Sequence, residues 1–92
     1  MSKRGEQWER FSGKVLSHIE EYTVPQYGDA PNDMAENFTV KDMVIQMNKY
    51  LLRQSKGGGQ RGVKEDMRDF LKIAHYACMA YDRLNNMDIS RD

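Results

Sequence analysis

Two carboxylates stand three residues apart in Asp66-Met67-Arg68-Asp69. On a helix that spacing puts both on one face, a turn apart, where they can offer oxygens to a hard cation such as Mg2+ or accept an ion pair from lysine or arginine. Lys49, Arg53, Lys56 and Arg61 lie just upstream and could equally receive an anionic ligand or the surface of a partner. Between the two groups runs Lys56-Gly57-Gly58-Gly59-Gln60-Arg61-Gly62-Val63-Lys64, in which Gly57-x-Gly59-x-x-Gly62 has the spacing of a dinucleotide-binding loop. His18, His75 and Cys78 complete the residues able to ligate or attack.

Each suspect has a plainer reading. A dinucleotide loop needs a strand before its glycines and a helix after them, within a βαβ unit. Here a helix comes first, and Glu65 and Asp66 already face the dipole of the next helix, so the segment reads as a flexible connector. The two carboxylates read as structural ion-pair partners: Arg53 is expected to pair with Asp66 or Asp69, because a buried charge without a partner is costly. The histidines do not share an i, i+4 metal spacing and are expected to be hydrogen-bonded structural residues. Cys78 falls on an apolar stripe and is expected to be buried and inert.

The elements that position these residues are all helical. Trp8, Phe11, Val15, Ile19 and Tyr22 repeat at helical intervals, predicting a first helix over about 5–22. A long loop over 23–38 follows, carrying Pro25, Pro31 and a Gly-Asp pair. Thr39 with Asp42 three residues on reads as an acidic capping box, and Val40, Met43, Val44, Met47, Tyr50 and Leu51 share a face, predicting a second helix over about 40–55. A third helix over about 63–85 has a main stripe of Val63, Met67, Phe70, Leu71, Ala74, Ala77, Cys78, Tyr81 and Leu84, widened by Ile73, Tyr76 and Ala80. The fold class predicted is all-α, a small bundle of three main helices in a single domain over 1–92, with 1–4 and 86–92 flexible.

Length and charge bound the function. A chain of 92 residues builds one core and no second lobe. Fourteen basic residues balance fourteen acidic ones, so nucleic acid is not an expected partner, and a helix-turn-helix is further disfavoured by the acids that open the third helix. One cysteine allows no internal disulfide, and no apolar run reaches the roughly 20 residues of a membrane span, so a cytoplasmic setting is expected. Ile45 and Leu52 form a second, minor stripe on the second helix. With the broad arc of the third helix, they leave more apolar surface than three short helices cover, so a homo-oligomer, a dimer first of all, is expected.

Lys49-Tyr50-x-x-Arg53 on one helix, followed by Asp69, Lys72 and Tyr76 on the next, resembles the SaV-like helical proteins of phages and prophages. The resemblance covers residues 49–76 and implies a phage or prophage setting without an established activity. Asp66-x-x-Asp69 is also similar, more weakly, to the carboxylate pairs of all-α nucleoside triphosphate pyrophosphohydrolases of the MazG type. That likeness implies Mg2+ held by Asp66 and Asp69, with Glu20 and Glu21 as candidates for the other half of the site. The reading preferred from the sequence is a non-enzymatic, self-associating interaction module without a cofactor, binding a protein partner or a small, nucleotide-like anion. The Mg-dependent hydrolase is the alternative.

Overall fold

The computed structural model describes residues 1–29 and 38–91, the side chains of 88–91 excepted. The fold is all-α: α1 spans Lys3–His18, α2 Val24–Tyr27, α3 Val40–Ser55 and α4 Val63–Arg91, with no strand among the described residues. Ser2 opens α1, its hydroxyl accepting the Gly5 N–H at 3.0 Å. Thr39 opens α3 through a full capping box: its hydroxyl accepts the Asp42 N–H at 3.2 Å while the Asp42 carboxylate accepts the Thr39 N–H at 2.9 Å. Two of the four donors orphaned at that helix end are thereby satisfied.

The first helical stretch does not stop at residue 22. A π-helical turn, Ile19–Thr23, joins α1 to α2, and the Val24 N–H bonds five residues back to the Ile19 carbonyl. The wide turn stands just before Pro25, whose ring would press on the Glu21 carbonyl in a regular α-helix. Pro25 then falls in the opening turn of α2, where its missing N–H costs nothing. Part of the expected 23–38 loop is therefore helix, ended by Gly28 at φ 84°; residues 30–37, with Pro31, lie outside the described residues.

α3 and α4 form an antiparallel hairpin, the principal packing of the molecule, and the end of the first helical stretch leans more sparsely on α4. The core is thin: Met43, Tyr50 and Ala80 are its buried apolar residues, with Asp69 buried among them. α4 meets α3 through Asp69, paired with Arg53, and Tyr76, whose ring lies 6.4 Å from that of Tyr50; Ile73 is half-buried and Ala80 buried on the same flank, and sequence periodicity treated Ile73, Tyr76 and Ala80 as a mere widening of the stripe. Most of the stripe expected to be the core faces outward, with Val63 72%, Phe70 47% and Tyr81 72% exposed while Leu71 and Ala74 are half-buried, and Cys78 is exposed with it, contrary to the expectation of a buried thiol. α4 also continues six residues past its expected end at 85, so the segment expected to fray is helical as far as Arg91.

Candidate functional site

Where the hairpin turns, the polar residues singled out by spacing meet in one knot. Arg53, on the last turn of α3, places Nη1 2.9 Å from Asp69 Oδ1. Its neighbour Gln54 donates Nε2 to Asp66 Oδ1 and to Asp69 Oδ2, both at 3.0 Å. Arg61 reaches across the connector to within 3.6 Å of Asp69 Oδ1. Asp69 is 1% exposed and Arg53 35% exposed, so the carboxylate is desolvated while its partner keeps contact with water. Low dielectric makes this contact strong only because further donors satisfy the remaining lone pairs.

The glycine connector is a defined turn built over that knot. Gly57, Gly59 and Gly62 hold φ of 89°, 81° and 97°, which accounts for their spacing without any nucleotide, since residues with a Cβ adopt this region at a cost. Gly58 is needed for room: a Cβ there would lie 2.6 Å from Gln54 Oε1 and 2.9 Å from Asp66 Oδ1. The anion beside the connector's backbone is the chain's own: the Gly59 backbone N–H helps to stabilise the Asp66 carboxylate. The Gln54 amide first, then that N–H, and then Arg61 and Arg53 hold the Asp66 carboxyl below its usual range.

The candidate anion or partner cluster is partly assembled. Arg53, Lys56 and Arg61 line a cleft of about 440 Å³ with Gly58, Gly59, Gln60 and Asp66. Lys49 stands apart from it, its ammonium 4.9 Å from the centre of the Tyr50 ring. Asp69, beneath the cleft, already pairs with Arg53 and Arg61, so two of the three cations are engaged by the chain's own carboxylate. Nor does the Asp66 and Asp69 pair fit a hard cation, since an amide and two guanidinium groups already point at its oxygens. Glu20 and Glu21 lie exposed on the π turn. Glu6 and Glu9, which have a Glu-x-x-Glu spacing, lie on α1 about 18 and 14 Å along its axis from its His18 end. Among the described residues no three His, Cys, Asp or Glu side chains are placed to hold a metal.

Sequence reasoning overlooked a second cleft. About 470 Å³ opens between the end of the first helical stretch, α3 and α4. Its aromatic wall is Tyr22, Tyr27, Tyr50 and Tyr76, joined by His18 and His75. Arg68 lies 5.3 Å from the centre of the Tyr22 ring and Lys72 5.4 Å from that of Tyr50. Arg68 also donates to the Tyr22 hydroxyl at 3.4 Å and pairs with Glu65 at 2.9 Å. The histidines, expected to be hydrogen-bonded, pack by ring contact, His18 on Tyr22 at 5.4 Å and His75 on Tyr76 at 6.5 Å. Burial first, and then Lys72 and Arg68, lowers the His18 pKa; burial and then His18 lower that of His75. Burial raises the Tyr76 hydroxyl, helped by Tyr50 and Tyr27. The signal in the sequence was Arg68, Lys72, His75 and Tyr76 at helical spacing, opposite the apolar stripe of α4.

A scan against protein-family models found no match, and searches of curated proteins and of solved structures returned none. The residues behind the SaV-like resemblance nevertheless share one place. Lys49, Arg53 and Lys72 all approach the Tyr50 ring, Tyr50 lies 6.4 Å from Tyr76, and Arg53 meets Asp69. The packing of α3 on α4 is enough to account for that combination of residues.

Proposed function

We propose that the protein is a non-enzymatic interaction module that works as a homodimer, with α4 as the dimerisation helix. One observation carries this reading: Val63, Met67, Phe70, Ala74, Ala77, Tyr81 and Leu84 alternate at intervals of four and three along α4, and all but the half-buried Ala74 are exposed. Alternation of this kind is the seam of a two-stranded coiled coil. A two-fold axis between Ala74 and Ala77 makes the seam self-complementary when the helices run antiparallel. Phe70 then meets the partner's Tyr81, Met67 meets the partner's Leu84, and the alanines allow close approach at the centre.

The surface area supports the same reading. The chain exposes 7389 Å², whereas a compact monomer of 10.8 kDa exposes about 5,500 Å². The excess is ample for the roughly 800 Å² per partner of a standard interface. The self-complementary spacing makes a second copy the simplest cover for the stripe. The charge knot at the hairpin turn then serves specificity of fold, and the phage or prophage setting suggested by residues 49–76 fits a small module of this kind. Light scattering tests the proposal: a dimer is expected at micromolar concentration, and Phe70→Glu should return it to a monomer. A wild-type chain that stays monomeric at about 100 μM, a concentration at which even a weak dimer is populated, would sink it.

A further inference from the structure

We infer that the aromatic cleft between the first helical stretch and the hairpin is a binding site for a small planar aromatic anion, a ring bearing a phosphate or carboxylate group. The inference goes beyond self-association and does not use the α4 seam, which lies on the opposite side of the helix from Arg68, Lys72 and His75. The cleft volume of about 470 Å³ is that of a site for a small organic molecule. Four tyrosines and two histidines offer ring faces on three sides, so a planar group entering between them stacks in place of water.

The charge within the cleft selects an anion. Arg68 and Lys72 stand one turn apart on α4, and Glu65, the one carboxylate in the lining, is already paired with Arg68. Lys72 is half-buried, and among the described residues it makes no ion pair; its partner is the face of Tyr50. A partly desolvated ammonium held against a ring keeps its donors available, and an entering phosphate or carboxylate would satisfy them in a charge-assisted bond. The π turn supplies the opposite wall, presenting Tyr22 and Thr23 to the cleft next to His18, and such widened turns are often found at functional sites.

The test is an NMR titration of the whole chain with adenosine monophosphate and 4-hydroxybenzoate, against adenosine and inorganic phosphate. Saturable shifts of the His18 and His75 rings are expected with at least one of the two aromatic anions, with a dissociation constant below about 1 mM. Adenosine and phosphate should each bind at least about tenfold more weakly, since each lacks one of the two recognised parts. Lys72→Gln should weaken binding about tenfold, whereas Lys49→Gln, which touches the same Tyr50 ring from outside the cleft, should bind as the wild type. The proposal is overturned by the absence of saturable shifts up to about 10 mM ligand. Equal binding of phosphate alone, shifts confined to Gly57–Gly62, or unchanged affinity in Lys72→Gln would overturn it as well.

Discussion

Asp69 shows how little at the residue scale follows from charge alone. It is a carboxylate in the core, tolerated because Arg53, Gln54 and Arg61 surround it. Removing one partner leaves the charge desolvated and undercompensated, so Arg53→Met should destabilise the fold by about 3 kcal/mol, read from urea unfolding. A loss below about 0.5 kcal/mol would show that Gln54 and Arg61 suffice. The histidines give a second prediction at this scale. Their folded pKa values lie below the ordinary 6.5, so the unfolded chain binds protons more readily. Their neutral forms favour folding, a contribution complete above pH 6.5 and lost as pH falls from there through the lowered folded values. The melting temperature should drop between pH 7 and 5, and the His18→Gln, His75→Gln double variant should flatten that slope. An unchanged slope would assign it to other groups. The pairing of Arg53 with one of the two aspartates could be anticipated from spacing, but Gln54 could not, because an uncharged amide beside an arginine gives no sign of its target.

At the scale of elements, the capping box and the two hairpin helices were legible because their signals are local: a threonine and an aspartate three residues apart, and an apolar repeat near 3.6. The glycine run was legible as a break and not as a turn with three left-handed residues, since backbone sign leaves no trace in residue type beyond glycine itself. Gly57→Ala should therefore cost about 1–2 kcal/mol in denaturant unfolding, through the unfavourable φ of 89° and not through any clash, because open space surrounds that position. Full stability in this variant would mean that the turn re-forms with negative φ. Pro25 misled in the other direction. Proline breaks a regular ladder, yet a single π turn moved Pro25 to the opening turn of a new segment, where its missing N–H costs nothing, although Val24 before it stays helical at φ -63° and ψ -47°, a conformation that proline disfavours.

For the whole molecule, the question is which face of α4 is the inside. Its radius of gyration, 14.7 Å, exceeds the roughly 12 Å of a compact domain of this length, which is compatible with the proposed self-association. Two outcomes follow. If the proposed dimer forms, melting should depend on protein concentration, because association stabilises the folded chain by mass action. Spin labels at Val63→Cys in a Cys78→Ser background should lie about 37 Å apart across an antiparallel pair, and within about 15 Å across a parallel one. A short distance would keep the dimer and reverse its register.

The sequence by itself determined helix content, the start of α3, the position of the hairpin break and the basic and acidic groups that flank it, because these depend on residues within a turn or two of one another. It determined the arcs of α4 as well, but not their use. The largest stripe in the pattern looked like the core, whereas tertiary packing laid α3 against the smaller flank of Asp69, Ile73, Tyr76 and Ala80 and left the larger one outside. The connector decided this: its three left-handed glycines fix the direction from which α3 returns, and the Arg53, Gln54 and Asp69 contacts hold that approach. The aromatic cleft arose in the same way, from side chains as far apart in sequence as Tyr22, Tyr50 and Tyr76, whose meeting depends on the angle at which three helices cross.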